Sequence, residues 1–431
     1  MPPPPPQEPA AAPSPLRSAR FITMFAFLCV TFALGQFHRS SGAVMSPVFV
    51  DELMLGAEQL GLVIGGMFIT QGLMQIPSAV LLDRYGSRNV MPAMTLVAVA
   101  GCGLIGIADS WLTILTGRVL LGVGFATTLL GAYPVFVRWG RPEIIATLTG
   151  RYLFVGGIGA LSATLPLAWV IEVFSWRSVY LALGAATLVS ALMTYVVLRD
   201  SPNDGAGAGG GARMPAPRAT LRGSITGMGE VLADRRIWPV LTIALFLYSP
   251  LQVLIGLWAG PFLKDVHQVP ALERSYILLA MAVAMNLGML MFGPIERHFN
   301  TRRRVILYAT SAICLMFLAL ALAGYAHLWA AVALFVLIEL AAPFFVVVLV
   351  HSQVMFPPEY ASRVVSLINL LAISGIFVSQ YLTGHVIGAV TDDPAVTGSV
   401  LGYRLVFALM AAVFGVITLV YRRTRDIPPR G

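Results

Sequence analysis

Apolar residues in this chain come in long runs, not in the short periodic clusters of a water-soluble core. Twelve runs of about 20 residues can be read, at 20–48, 59–82, 90–108, 111–137, 144–171, 178–198, 237–263, 273–295, 304–324, 328–355, 361–390 and 402–421. Each is long enough as a helix to cross the hydrocarbon layer, so the pattern predicts an all-α integral membrane protein with twelve spans. Several runs are interrupted by Gly, Pro or a single charge, as happens where a helix faces an aqueous cavity. The pattern stops between the sixth and seventh runs. Residues 199–235 are polar, with a Gly205–Gly211 stretch and then Pro215 and Pro217, and read as a flexible linker. The predicted organisation is a Pro-rich disordered tail (1–19), a six-helix half (20–198), the linker (199–235), a second six-helix half (236–421) and a short tail (422–431). The first run follows Arg17 and Arg20 as a signal peptide would. It is too long, contains Arg39 and lacks a small-x-small cleavage site, which predicts a retained helix.

Composition supports the bilayer as solvent. Hydrophobic residues make up 58% of the 431 and charged residues only 11%, against about a quarter charged in a soluble chain. The net charge of +8 could suggest a nucleic-acid partner, but the basic residues lie in short loops between apolar runs. They form no domain-sized face for a phosphate backbone to track. Their distribution orients the chain: Arg84, Arg88, Arg138, Arg141, Arg235, Arg236, Arg302–Arg304, Arg422, Arg423 and Arg425 fall on one side. Only Arg177, Lys264, Arg274 and Arg404 fall on the other, beside Asp51, Glu52, Asp109, Asp392 and Asp393. The positive-inside rule then predicts both termini in the cytoplasm, in a bacterial inner membrane or an intracellular membrane derived from it. Cys29, Cys102 and Cys314 lie inside apolar runs without disulfide or metal-ligand spacing and read as packing residues.

The two halves repeat. Leu82-Asp83-Arg84-Tyr85-Gly86-Ser87-Arg88 follows the second run, and Ile295-Glu296-Arg297-His298-Phe299-Asn300-Thr301-Arg302-Arg303 follows the eighth. Arg141-Pro142-Glu143 precedes the fifth run as Pro357-Pro358-Glu359 precedes the eleventh. Both pairs are about 215 residues apart, as a parallel duplication of one six-helix unit requires.

These residues resemble the major facilitator superfamily from Arg20 to Tyr421. The 2–3 loop is similar to the family's G-x-x-x-D-R-x-G-R-R, with Asp83, Arg84, Gly86 and Arg88 in place, Ala79 at the leading glycine and Asn89 at the last basic position. Gly117-Arg118-Val119-Leu120-Leu121-Gly122-Val123-Gly124 resembles R-x-x-x-G-x-G of helix 4, and Ser175-Trp176-Arg177 resembles the family's G-W-R turn. The resemblance implies alternating access, with helices 1, 4, 7 and 10 lining a central cavity, and names no substrate. Asp83, Arg84, Gly86 and Arg88, with Glu296 and Arg297 as their counterparts in the second half, are expected at the cytoplasmic gate. A carboxylate there can accept from helix-end amides and arginines in one state of the cycle and lose them in the other.

Charges inside a membrane are costly, so each is a functional candidate. Arg39, in Gln36-Phe37-His38-Arg39-Ser40 of helix 1, looks like the arginine that binds the anionic group of substrates in the organophosphate and organic-anion branches of the superfamily. A guanidinium fork suits carboxylate or phosphate oxygens; the alternative is that it snorkels to headgroups or pairs structurally. Arg118 of helix 4 either shares the anion or holds neighbouring helices. Helix 7 offers Tyr248, Gln252 and Trp258 but no second arginine, which favours a monoanion or zwitterion over a phosphate ester. Glu339, in the apolar run of helix 10, is the candidate proton carrier, with a static salt bridge to Arg118 or Arg39 as the alternative. His351 and His385 read mainly as packing or loop residues; His38 is better placed, adjacent to Arg39, yet neighbouring helix positions point in different directions. Gly122, Gly124, Gly156 and Gly157, with the glycines between Gly61 and Gly72, read as close-packing positions.

No Walker motif appears, so ATP is not expected as the driving force, and neither a cofactor nor a resident metal is expected. The sequence thus favours a secondary transporter of a small organic anion, coupled to protons or a counter-substrate. Proton-driven efflux of amphipathic compounds is the nearest rival, weakened by Arg39 and Arg118. A non-transporting sensor is weakened by the gating motif and the lack of a soluble output domain. The helix-1 region also resembles magnetosome-associated permeases of the superfamily, but no Asp, Glu, His or Cys cluster here could hold iron. A membrane enzyme is disfavoured, because no loop carries a nucleophile–base pair or a metal cluster, and no catalytic residue is assigned.

Overall fold

The computed structural model describes residues 19–139, 142–201, 232, 237–355, 358–391 and 398–428. The Pro-rich tail up to residue 18, nearly all of the linker, Arg141, Arg235, Arg236, Pro357, Asp392 and Asp393 lie outside the described residues, as do the side chains of Pro142, Glu143, Pro358 and Glu359.

Every described element is helical. Ten helices are long and apolar enough to cross a membrane, and two bent pairs, angled by 47° and 42°, bring the total to twelve. In chain order they are α1a (Ala19–Ser40) and α1b (Gly42–Leu53), α2a (Ala57–Leu73) and α2b (Gln75–Tyr85), α3 (Ser87–Gly106), α4a (Trp111–Phe125) and α4b (Thr127–Trp139). Then follow α5a (Pro142–Ser162) and α5b (Leu165–Val173), α6 (Trp176–Val197), and helix 7 in pieces: α7a (Trp238–Leu245), α7b (Ser249–Val253), a π turn (Leu254–Trp258) and α7c (Ala259–Asp265). The chain closes with α8 (Ala271–Phe299), α9 (Arg302–Ala323), α10a (Leu328–Ala341), a 3-10 turn (Ala342–Phe344), α10b (Phe345–Val354), α11 (Pro358–Gly388) and α12 (Val400–Tyr421). The twelve apolar runs predicted from sequence therefore each hold a span, but six of them are broken. Proline accounts for several of the breaks, since it donates no hydrogen bond and its ring clashes with the preceding turn. Pro77 follows the α2 bend, Pro166 starts α5b, Pro250 and Pro261 flank the helix 7 break, and Pro343 sits in the turn of helix 10.

The first six spans form one half and the last six the other. Three seams join them: α2a along α11, α1b against the π turn and α7c, and helix 5 against α8. These seams run close. A Cβ at Gly61 would lie 2.6 Å from the carbonyl oxygen of Gln380, and one at Gly384 would lie 2.7 Å from that of Ala57. Toward the end of the bundle that carries the termini, α2b packs chiefly on α2a, α3 and α4b, and α10b on α8, α9 and α11, each within its own half. The halves are thus closed at the far end and part toward the terminal end.

Candidate functional site

Helix 1 breaks at Ser41, and the break decides where its polar residues point. With the helix interrupted, the carbonyl of His38 accepts from Ser41 Oγ at 3.2 Å and from Arg118 Nη1 at 2.9 Å. The His38 ring turns into the first half. It is fully buried, stacks with Tyr180 at 5.8 Å and has Nε2 3.5 Å from Cys102 Sγ. Arg39, the next residue, projects the other way, into the seam. Its Nη1 donates to Gln71 Oε1 at 3.2 Å, and its guanidinium lies over Phe68, 5.4 Å from the ring centre.

The second half faces Arg39 with aromatic and amide groups. Tyr248, at the start of α7b, lies within electrostatic reach of Arg39. Its hydroxyl donates to Asn369 Oδ1 at 3.4 Å, and its ring meets Phe345 edge-on at 4.9 Å. Gln252 sits one turn further on; its backbone carbonyl takes Gln380 Nε2 at 2.9 Å, while its own Oε1 has no partner. Arg39 has no carboxylate within ion-pair distance among the described residues. Its charge is met by a neutral amide and a ring face.

Arg118 and Glu339 stand apart from this cluster. Arg118 is 1% exposed inside the first half, where its contact is the helix-1 carbonyl. Glu339 is fully buried in the second half, its carboxyl beside the backbone of Ile255. The structure therefore brings together Arg39, Tyr248 and the neighbourhood of Gln252, but not Arg39, Arg118 and Glu339. Gln71, Phe68, Asn369 and Phe345 were not singled out from sequence. For Gln71 and Asn369 a signal existed, a carboxamide inside an apolar run.

The sequence profile of the Major Facilitator Superfamily matches residues 21–380. The chain belongs to the major facilitator superfamily. A probable sulfoacetate transporter of Cupriavidus necator is 26% identical over 313 residues, 68% of this chain and 70% of that protein. The hexuronate transporter of Escherichia coli K12 is 20% identical over 283 residues, 64% of this chain and 65% of that one. Among solved structures, a bacterial homologue of the human lysosomal transporter Spinster, inward-facing and occupied, superposes with a TM-score of 0.76 at 20% identity, covering 95% of this chain and 98% of that one.

As a member of the superfamily the chain carries its loop motif at the terminal end. Asp83 is exposed and makes no hydrogen bond or ion pair among the described residues, and Arg84 lies 5.2 Å over Tyr85. Gly86 has φ of +79°, a left-handed conformation that costs an L side chain about 1–2 kcal/mol. Beside it, Asp200 Oδ1 caps α3, accepting from the backbone of Ser87 at 2.8 Å and Arg88 at 3.2 Å. The second half repeats the device. Asp426 accepts from the Thr301 hydroxyl and from the backbone of Arg302 at 3.2 Å and Arg303 at 3.0 Å, capping α9. Burial works against ionisation of Asp426, but these donors outweigh it and hold the carboxyl below the usual aspartate range. Glu296 pairs with Arg302 at 2.6 Å, and Arg297 Nε donates to the Gly293 carbonyl at 3.3 Å. Each capping aspartate sits in an Arg-Asp-x-Pro segment, 199–202 and 425–428. The Arg199 carbonyl is taken by Trp139 Nε1 at 3.0 Å, and that of Arg425 faces His351 Nε2 at 3.1 Å.

At the far end, charged groups bridge the halves. Lys264 pairs with Asp51, Glu58 accepts from Tyr381 at 3.3 Å, and His385 lies 3.7 Å from Glu58. Within the first half Glu52 accepts from Trp176 and Arg177; burial opposes its charge, but the two donors and the Arg177 cation hold its carboxyl below the usual glutamate range. Close packing falls on the glycines. A Cβ at Gly124 would lie 2.5 Å from Ala98, and one at Gly157 would lie 3.0 Å from Asn286 Oδ1 across the seam. Gly122 lies against Met67 and Thr70, and Gly156 against Phe32, with no room for a side chain.

Proposed function

We propose that this transporter moves a small organic anion through the seam between its halves, with Arg39 as the group that binds the anionic moiety. The observation that carries the reading is Arg39 itself: a half-buried guanidinium facing the opposite half, held by neutral Gln71 and lacking a counter-ion among the described residues. A charge drawn into a bundle without its partner calls for one, and the substrate supplies it. Tyr248 and Gln252 complete the site from the second half. The relatives' names, sulfoacetate and hexuronate transporters, support an anion. Arg118 acts by holding the helix-1 break that aims Arg39, not by touching the anion.

Glu339 carries the coupling proton. A carboxyl buried in the span, apart from the other intramembrane charges, is a group that a coupled cycle can load and unload as its surroundings change. The terminal end is cytoplasmic, following the basic loops, and the membrane is the bacterial inner membrane. Asp83 and its neighbours form the gate at that end, with the Asp83 carboxylate left exposed in this conformation.

The test is flux into liposomes under an imposed pH gradient, with sulfoacetate, galacturonate and an amphipathic cation as solutes. Anion uptake that is lost in Arg39→Ala and loses its proton dependence in Glu339→Gln supports the reading. Cation flux alone, or anion flux indifferent to Arg39, overturns it.

A further inference from the structure

Helices 1 and 7 meet main chain to main chain at the far end, where the Gly256 carbonyl lies against Gly42, the first residue of α1b, with no room for a Cβ there. Helices 5 and 8 meet only in part. They run in opposite directions and touch where a Cβ at Gly157 would lie 3.0 Å from Asn286 Oδ1. Seven residues nearer the terminal end on each helix stand Gly150 and Gly293, where a Cβ would have no neighbouring atom within 4 Å. Positions seven apart share a helix face. The two faces that touch at Gly157 and Asn286 therefore separate toward the terminal end and leave a gap. Phe154 and Leu290 line it from opposite sides at nearly the same level, 70% and 74% exposed.

The gap opens on the bilayer. Tyr152 and Gly156 pack on Phe32 of α1a and Gly159 on Ala33, so the exposed Arg151, Phe154 and Ile158 share the side of α5a turned away from helix 1. On α8, Gly288 packs on Leu340, and Val283, Leu287 and Leu290 make an exposed apolar stripe on another side. Two arginines stand at the mouth between these stripes. Helical side chains lean toward the start of their helix. Helix 5 starts at the terminal end and α8 at the far end, so Arg151 leans toward the terminal end and Arg297 away from it. Arg297 Nε confirms its lean by donating to the Gly293 carbonyl at 3.3 Å. Measured from the Gly157–Asn286 contact at 1.5 Å per residue, Arg151 lies about 9 Å along its helix and Gly293 about 10 Å along the other, so the two guanidiniums share a level. Neither has a carboxylate within ion-pair distance among the described residues.

We propose that the gap between α5a and α8 binds one anionic phospholipid, with an acyl chain between Phe154 and Leu290 and the phosphate on Arg151 and Arg297. A gap walled by apolar side chains gives water no hydrogen-bond partners, and left empty it forfeits dispersion contacts on both walls. An acyl chain from the adjoining hydrocarbon fills it at no such cost. The phosphate then meets two guanidiniums that lack counter-ions, the pairing their planar forks suit. A zwitterionic headgroup would bring its own ammonium beside two cations, which selects for a lipid with net negative charge. The site is separate from Arg39 and holds for any solute that the seam carries.

The experiment titrates the full chain in detergent with phosphatidylglycerol or with phosphatidylcholine of the same acyl chains, and counts bound lipid by native mass spectrometry. The parent is expected to hold one phosphatidylglycerol about 10- to 30-fold more tightly than phosphatidylcholine, as two arginines at a membrane surface allow. The double variant Arg151→Gln with Arg297→Gln should bind the two lipids alike. Gly293→Leu, which fills the gap and leaves both arginines in place, should lose the tight phosphatidylglycerol. A phosphatidylglycerol with a photoreactive acyl chain should label the segments that hold Phe154 and Leu290. Equal binding of the two lipids by the parent overturns the proposal, and so does a preference that survives in the double variant. Parent-like binding by Gly293→Leu overturns the place of the acyl chain. Should Gly293→Leu fail to fold, the photoreactive lipid decides: labelling confined to other helices overturns the site.

Discussion

Arg39 and His38 are neighbours in sequence and opposites in role, and the difference is the roughly 100° that separates consecutive residues around a helix. Arg39 reaches Gln71 and the seam, while His38 is sunk among Phe125, Tyr180 and Cys102. Removing Gln71 should therefore be felt through the arginine. We expect Gln71→Leu to raise the KM for an anionic solute about 3- to 10-fold, the loss of about 1 kcal/mol of a hydrogen bond that orients a charge. Arg39→Lys should retain weak uptake, since an ammonium keeps the charge and loses the fork. Arg118→Met should lower thermal stability by about 2–3 kcal/mol, because it strips the helix-1 carbonyl of a charged donor; a melting series in detergent checks it. All three intramembrane charges were visible in the sequence as breaks in apolar runs. Their grouping was not. In a helix apolar on every side, no polar stripe marks which face meets the seam, so nothing in the sequence separated Arg118 and Glu339 from Arg39.

At the scale of elements, the two capping aspartates matter most. Asp200 and Asp426 each tie the start of one helix to the segment that follows the last helix of its half. Asp200→Ala should cost about 1 kcal/mol, as loss of an N-cap does. Gly86→Ala should cost more, since it adds a strained left-handed residue and drives a Cβ into the Asp200 carboxylate. The acid limb can be signed. Asp426 is ionised more readily folded than unfolded, so its stabilisation is present above the usual aspartate range and is lost as pH falls through its lowered value. Asp426→Asn should flatten the fall in melting temperature with acidification, measured from neutrality to pH about 3. The Gly86 turn was legible because its motif is contiguous. The caps were not, because Asp200 and Ser87 are 113 residues apart in the chain, and an aspartate after a membrane span looks like any loop acid. The helix breaks were half legible: the prolines are in plain sight, but a π turn has no residue signature.

Across the whole molecule, the two halves are joined at the far end by the glycine seams and by Asp51–Lys264 and Glu58–Tyr381. The surface ion pair is a minor contributor: such pairs contribute about 0.2–1 kcal/mol. Asp51→Asn should therefore shift the closed-to-open ratio about 2- to 5-fold, read as labelling of a far-end cysteine. Salt should mimic part of that effect. The six-plus-six duplication and the twelve spans were readable from hydropathy and from the repeated loops. Which end is shut was not, because the contacts that close it join residues hundreds of positions apart, such as Asp51 with Lys264 and Glu58 with Tyr381. The backbone-tight contact of Gly42 with Gly256 has a consequence for how this transporter can change over generations. A seal made of main chain has no side chains to vary, so its positions are closed to substitution, whereas Gln71, Tyr248 and Asn369 line a wall that can be rewritten one residue at a time. Selection for growth on a new solute should enrich changes along that wall and leave the glycines untouched.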